Sequence, residues 1–326
     1  YNTGAVYPSI SAKDLIQQFP EILEISNIKV KQVFNIFSEN MQAENWKILA
    51  EECAKEINNN TYGIVILHGT DTLHYTSCAL SFMLQNLPVP IILVGAQRSS
   101  DRPSSDNKVN LICSLIAAKS DFAEVGVCMH ANMSDKYCYL HRGTRVRKMH
   151  TSKRNAFKSI NEKPIAKINY FKKSIKFLTE NYKKRGDRKL ILDTKIESRV
   201  GIIYFHPNIS EEFIRSLKNY YKGIVIAASG LGHVSEKIIN ALKELIDAGI
   251  PVVLAPQTIY GRLNLNVYST GRKLLKIGVI GHLCDWTIEC AYVKLCWVLG
   301  HTNDLEKVKE MMYTNYANEI SERIEL

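Results

Sequence analysis

At 326 residues the chain is too long for one small domain, and two domains is the expectation. Hydrophobic residues make up 46% and charged residues 23%, which excludes a disordered chain. The longest apolar run, Leu87–Ala96, spans ten residues and holds two prolines, well short of the ~18 a membrane helix requires. No secretory leader is expected from the opening residues. The net charge of +10 points to an anionic partner, but it is unevenly distributed. Residues 141–190 carry 17 Lys plus Arg against 3 Asp plus Glu, while the rest carries 25 basic and 29 acidic residues. Eight cysteines include no CxxC pair, so free thiols in a reducing compartment are expected rather than a zinc ribbon or a redox motif.

In chain order, Lys29–Phe37 reads as a strand. It is followed by a helix with Trp46, Leu49, Ala50, Cys53 and Ile57 at helical spacing. Strands are predicted at Tyr62–Leu67, Val89–Gly95 and Glu124–His130, with helices at about 72–85 and up to Lys119. Ile64–Leu67 and Ile91–Val94 are apolar at every position, as strands buried on both faces must be. Such alternation implies a parallel sheet flanked by helices. The basic segment interrupts it: 161–193 has no clean period and reads as a linker with a possible hairpin. A second α/β unit follows, with strands at 200–205, 223–227 and 251–254 and helices at 211–220 and 235–248, then two closing helices at 286–299 and 304–324.

The sharpest local feature is His68-Gly69-Thr70-Asp71-Thr72, directly after a strand. Ligands of parallel sheets bind outside the carboxyl ends of strands, and Asp71 or Thr72 can cap the next helix while its free N–H groups face a carboxylate. Alone, this pentapeptide is most simply an N-cap. Two further strand ends bring Phe37-Ser38-Glu39-Asn40-Met41 and Val94–Pro103 to the same edge. Three loops rich in hydroxyls and carboxylates suit a small zwitterion such as an amino acid, its ammonium on carboxylates and its carboxylate on hydroxyl and backbone donors. His68, ending a strand, reads as a packed and hydrogen-bonded residue, and Cys284, Cys290 and Cys296 as core thiols. There is no phosphate loop, GxSxG elbow or HExxH spacing.

These residues resemble the L-asparaginase/glutaminase superfamily, whose members carry HGTDT after a buried strand. Within it the chain is similar to the D subunits of archaeal glutamyl-tRNA(Gln) amidotransferases. The narrower likeness is carried by Phe37–Met41, His74-Tyr75-Thr76-Ser77, Leu84–Pro90, Gln97–Asp106, Lys148–Arg154 and Ala255–Arg262. The resemblance implies a two-domain α/β fold. Residues 1–192 would form the larger domain, a mostly parallel sheet flanked by helices, with a basic linker at about 161–192. Residues 193–326 would form a smaller α/β domain.

The family reaction is side-chain amide hydrolysis through a threonine acyl-enzyme, which needs an activated hydroxyl, a base and oxyanion donors. By resemblance Thr70 is a nucleophile or water activator, Lys148 its base, and Asp71 the residue that orients Lys148 and grips the substrate ammonium. Ser38, Glu39 and Gly69 would bind substrate, and Tyr7 corresponds to a mobile-loop tyrosine assisting a second family threonine. That threonine, in a Gly-Gly-Thr-Ile strand end, has no counterpart here and is expected upstream of Tyr1. Asn40 and Glu39 stand where free asparaginases usually have Asp and Gln. Ala228-Ser229 and the proline-free Gly281–Cys290 also depart from the usual pattern. The implied partners are glutamine, the amidotransferase E subunit that uses ATP and magnesium, tRNA(Gln) reached through the complex, and a homodimer within a heterotetramer. No cofactor in this subunit and a cytoplasmic location are implied too. A free-standing asparaginase or glutaminase is the alternative. An RNA-binding module comes third, because the aromatics of residues 141–190 are scattered along the sequence.

Overall fold

Trp46, Leu49, Ala50 and Cys53 are buried on one face of a helix (α1, Ala43–Glu56), its start fixed by the Asn45 side chain accepting the Gln42 N–H at 2.8 Å. The computed structural model describes residues 18–98 and 104–324. They fall into two compact units, one of residues 18–77, 86–98, 104–158 and 164–191, the other of residues 78–85, 159–163 and 192–324.

In the first unit, β1 (Ile64–Leu67) pairs in parallel with β2 (Ile91–Val94), and β2 with β3 (Val125–His130). Two helices connect them, α2 (Leu73–Met83) and α3 (Asn107–Ala118). The sheet then turns antiparallel through β4 (Tyr137–Arg142), skips the short β5 (Val146–Lys148), and ends in β6 (Ala166–Asn169) and β7 (Ser174–Phe177), giving a mixed six-stranded sheet. One face is sealed by α3: Val109, Cys113 and Ala117 meet Ile92, Cys128, Leu140 and Ile168.

Three expectations need correction. Lys29–Phe37 forms no strand; a ladder needs a neighbour, and among the described residues none pairs with it. β2 is buried at every position, but β1 is not: it has a strand neighbour on one side only among the described residues, and Leu67 is 37% exposed. The hairpin expected within residues 161–193 is present as β6 and β7, but it is part of the sheet and not of a linker, and upstream of it His141, Arg142 and Arg145 are buried. Strands of three or four residues give too few repeats for a period of two to stand out.

The second unit holds a parallel three-stranded sheet of β8 (Val200–Tyr204), β9 (Gly223–Ala228) and β10 (Val252–Pro256). Its helices are α4 (Glu211–Ser216), α5 (Ile239–Asp247), α6 (Ser269–Lys276), α7 (Ile288–Leu299) and α8 (Leu305–Tyr313). Ser210, Thr287 and Asp304 cap α4, α7 and α8 with side-chain oxygens. The last helix stops at Tyr313, not near residue 324 as the sequence pattern implies. Past it the Glu319 carboxylate turns inward, accepts the N–H groups of Tyr316 and Ala317, and pairs with buried Lys294 at 2.6 Å. An eight-residue helix, α6, was not legible in the sequence.

Candidate active site

The site grows from the end of β1. The chain leaves the sheet at His68, turns through Gly69, Thr70 and Asp71, and enters α2. Thr72, just before α2, accepts the Thr76 N–H on its carbonyl at 3.2 Å, and its hydroxyl donates to the Ser38 carbonyl at 2.5 Å, fastening the turn Ser38–Asn40 to this strand end. A Cβ on Gly69 would lie 2.8 Å from the Ser38 Cβ, so the close approach of the two loops requires glycine. At the end of β2 a Cβ on Gly95 would meet the His68 carbonyl at 2.6 Å and the Thr70 methyl at 2.8 Å. Backbone thus presses on Thr70 from the neighbouring strand.

Lys148 arrives from β5. Its Nζ donates to Thr70 Oγ1 at 2.8 Å and to Asp71 Oδ1 at 2.7 Å. The Lys148 side chain is 10% exposed and Asp71 68%, so this ion pair is open to solvent on the Asp71 side. Two contacts aim β5. The Ser77 hydroxyl, on α2, donates to the Gly143 carbonyl in the turn before β5 at 2.7 Å, and the Met149 N–H closes a hairpin on the Ala156 carbonyl at 2.7 Å.

Two polar networks hold the loops. His68 Nδ1 lies 2.7 Å from the Gly69 carbonyl and Nε2 2.9 Å from Thr76 Oγ1, which also accepts the Trp46 indole N–H at 3.1 Å. The carbonyl assigns the proton to Nδ1, so the Thr76 hydroxyl donates to Nε2. Burial lowers the pKa of His68, with the bond to Gly69 opposing, in keeping with that neutral form. Around β2, the fully buried Asp106 carboxylate accepts the N–H groups of Gln97 and Arg98 at 3.1 and 3.0 Å. Asn110 donates to Asp106 and to the Gly95 carbonyl, and its amide oxygen meets His130 Nδ1 at 2.5 Å. Beside the site, burial first, then Arg147 and Lys148, push His74 down to about 3 against the pull of Asp71.

The structure therefore brings Ser38, Gly69, Thr70, Asp71 and Lys148 together. Glu39 follows Ser38 on the same turn and is exposed, and Tyr7 lies outside the described residues. Sequence reading missed the supporting residues Trp46, Thr76, Asp106 and Asn110. Only the last pair left a signal, two polar residues four apart at the start of an otherwise apolar helix. All eight cysteines are free and buried, and burial pushes the thiols of Cys53, Cys284 and Cys296 up to about 12, which removes them as nucleophiles. Chemically, a hydroxyl within 2.8 Å of an amine meets the distance that general-base activation demands.

Comparison with known proteins places the chain in a family. Residues 1–183 match the family described as Asparaginase, N-terminal, and residues 199–312 the Glutaminase/Asparaginase C-terminal domain. The chain is 55% identical over 323 residues to the D subunit of glutamyl-tRNA(Gln) amidotransferase from Pyrococcus abyssi, covering 98% of this chain and 73% of that protein. The chain belongs to that family of D subunits, within the asparaginases. The D subunit from Methanobrevibacter smithii is 53% identical (99% of this chain, 74% of that protein). Among solved structures, the thermostable L-asparaginase from Thermococcus kodakarensis superimposes with a TM-score of 0.85 at 32% identity, covering 96% of this chain and 92% of that one. Across this family fold, among the described residues, no helix is long and apolar enough to cross a membrane.

Proposed function

We propose that the chain is the glutamine-hydrolysing subunit of a tRNA-dependent amidotransferase, releasing ammonia that a partner subunit uses to convert Glu-tRNA(Gln) to Gln-tRNA(Gln). The observation that carries the chemistry is the 2.8 Å contact between Lys148 Nζ and Thr70 Oγ1, inside a chain more than half identical to archaeal D subunits. The neutral Lys148 amine takes the proton of Thr70, or of a water held by Thr70, as the oxygen attacks the side-chain carbonyl of glutamine. The C–N bond breaks, and the proton passes to the departing nitrogen, which leaves as ammonia. Where Thr70 is the nucleophile, water then cleaves the acyl intermediate to glutamate; where a water attacks, glutamate forms directly. Asp71 orients the ammonium form of Lys148 and offers its exposed second oxygen to the substrate ammonium. Ser38, Glu39 and Gly69 receive the rest of the amino acid, and Tyr7 assists.

On this reading the chain needs no cofactor of its own. ATP and magnesium are used by its partner, the E subunit, in the cytoplasm, within a heterotetramer built on a homodimer of this chain. The test is ammonia release from glutamine by the full-length protein, alone and with the E subunit, ATP and Glu-tRNA(Gln). Release stimulated by the complete mixture is expected. Strong asparagine hydrolysis without a partner makes the chain a free-standing amidohydrolase instead, the reading that the superposition on L-asparaginases favours.

A further inference from the structure

The antiparallel half of the first sheet carries a surface that amide hydrolysis does not use. In its register Tyr139 stands opposite Lys167, and Lys167 opposite Lys176. Directly opposed residues project from the same face, and Tyr137, two positions from Tyr139, joins them. The other face of the same strands carries Cys138, Leu140 and Ile168 into the core. Lys167 Nζ lies 3.9 Å from the centroid of the Tyr137 ring and Lys136 Nζ 5.3 Å from it. The turn joining β6 to β7 presents Phe171, 69% exposed, followed by Lys172. Among the described residues no carboxylate pairs with Lys136, Lys167, Lys172 or Lys176.

Two lysines held directly opposite each other repel, so the fold maintains this pair at a cost. Protection of an edge strand accounts for Lys176 but not for the tyrosine between two lysines or for the exposed phenylalanine beside Lys172. Cations without carboxylates match phosphates, and an exposed aromatic ring matches the face of an unstacked base. An exposed ring can stack on the bases of a single strand, whereas a duplex hides the faces of its bases.

We propose that the sheet face formed by Tyr137, Tyr139, Lys167 and Lys176, with Phe171 and Lys172 at its rim, binds single-stranded nucleic acid. The lysines hold successive phosphates and Phe171 stacks on a base. This goes beyond the hydrolysis assigned to Thr70 and Lys148 and does not depend on it.

The test is fluorescence anisotropy of the full-length protein with a labelled single-stranded RNA of about twelve nucleotides and with its duplex, across a salt series. Tighter binding of the single strand is expected. The double variant Lys167→Gln, Lys176→Gln relieves the lysine repulsion and should fold at least as well as the parent. It should lower affinity about tenfold and flatten the plot of log affinity against log salt by about 1.4, or about 0.7 per phosphate contact. Phe171→Ala should weaken binding about tenfold with the slope unchanged, and ammonia release should be unaffected in both variants. Absent binding, a preference for duplex, or unchanged affinity in the double variant would overturn the proposal. So would a loss of self-association in that variant with RNA affinity intact, which would make the face a contact between copies of the chain.

Discussion

Lys148 Nζ lies between Thr70 Oγ1 and Asp71 Oδ1, 2.8 and 2.7 Å away, although 77 residues separate it from the nearer of them in sequence. One amine thus joins a buried hydroxyl to an exposed carboxylate, and the catalytic proposal stands on that junction. Lys148→Met keeps the length of the side chain and removes the amine. Ammonia release from glutamine should fall by at least about 10²-fold, the scale of a lost general base, with the circular dichroism spectrum unchanged. Near-normal release would remove Lys148 from the mechanism.

Gly95→Ala probes the backbone that presses on Thr70. The added methyl would sit 2.6 Å from the His68 carbonyl and 2.8 Å from the Thr70 methyl, and a backbone contact cannot yield as a flexible side chain can. Displacing Thr70 by about an ångström should cost roughly 10²-fold in kcat, while the thermal midpoint drops by only a few degrees. Steady-state kinetics beside a melting curve separates the two effects. Full activity in this variant would mean that the position of Thr70 is not critical.

Acid should destabilise the protein well before its carboxylates titrate. Burial pushes His74 and His141 down to about 3 in the folded state, against an unfolded value near 6.5. Their contribution to stability is complete above pH 6.5 and is lost progressively as pH falls toward 3, because the unfolded chain binds the protons that the folded chain refuses. At pH 5 each costs about 2 kcal/mol relative to neutral pH, at 1.36 kcal/mol per pH unit. Urea midpoints of wild type and His141→Gln at pH 7.5 and pH 5 check this: the variant should lose distinctly less stability on acidification. Parallel losses in the two proteins would refute it.

The second unit is closed by a buried ion pair, Lys294 with Glu319, both side chains fully inaccessible. Lys294 also donates to the carbonyls of Met312 and Thr314 at 2.7 Å each. Removing one partner strands a buried charge, so Glu319→Ala should cost about 3–5 kcal/mol. Replacing both residues with apolar ones of similar volume should recover much of that loss. A double-mutant cycle in denaturant measures both quantities, and a single-variant loss below about 1 kcal/mol would mean that water reaches the pair.

Much of this protein was legible one residue at a time. The apolar runs Ile64–Leu67 and Ile91–Val94 marked strands, although only the second is buried at every position. The spacing of Trp46, Leu49, Ala50 and Cys53 marked a helix. The pentapeptide His68–Thr72 marked a strand end with chemistry on it. Local pattern suffices where the constraint is local: a period, a cap, or a glycine in a turn.

What local pattern lacked was pairing. Lys29–Phe37 has the composition of a strand without a partner in the described structure, whereas residues 166–177 look like a linker and form two strands, because a ladder is a property of two segments. The Asp106 carboxylate that holds Gln97 and Arg98, and the register that sets Lys167 against Lys176, likewise have no signature in either segment alone. By itself the sequence determined the fold class, the family and the residue types of the chemistry, because these are written in periodicity and in contiguous motifs. Only the tertiary structure supplied the 2.8 Å contact between Lys148 and Thr70 and the pairing of residues 166–177 as sheet strands, because hydrogen bonds and ion pairs act over about 3 Å of space regardless of distance along the chain.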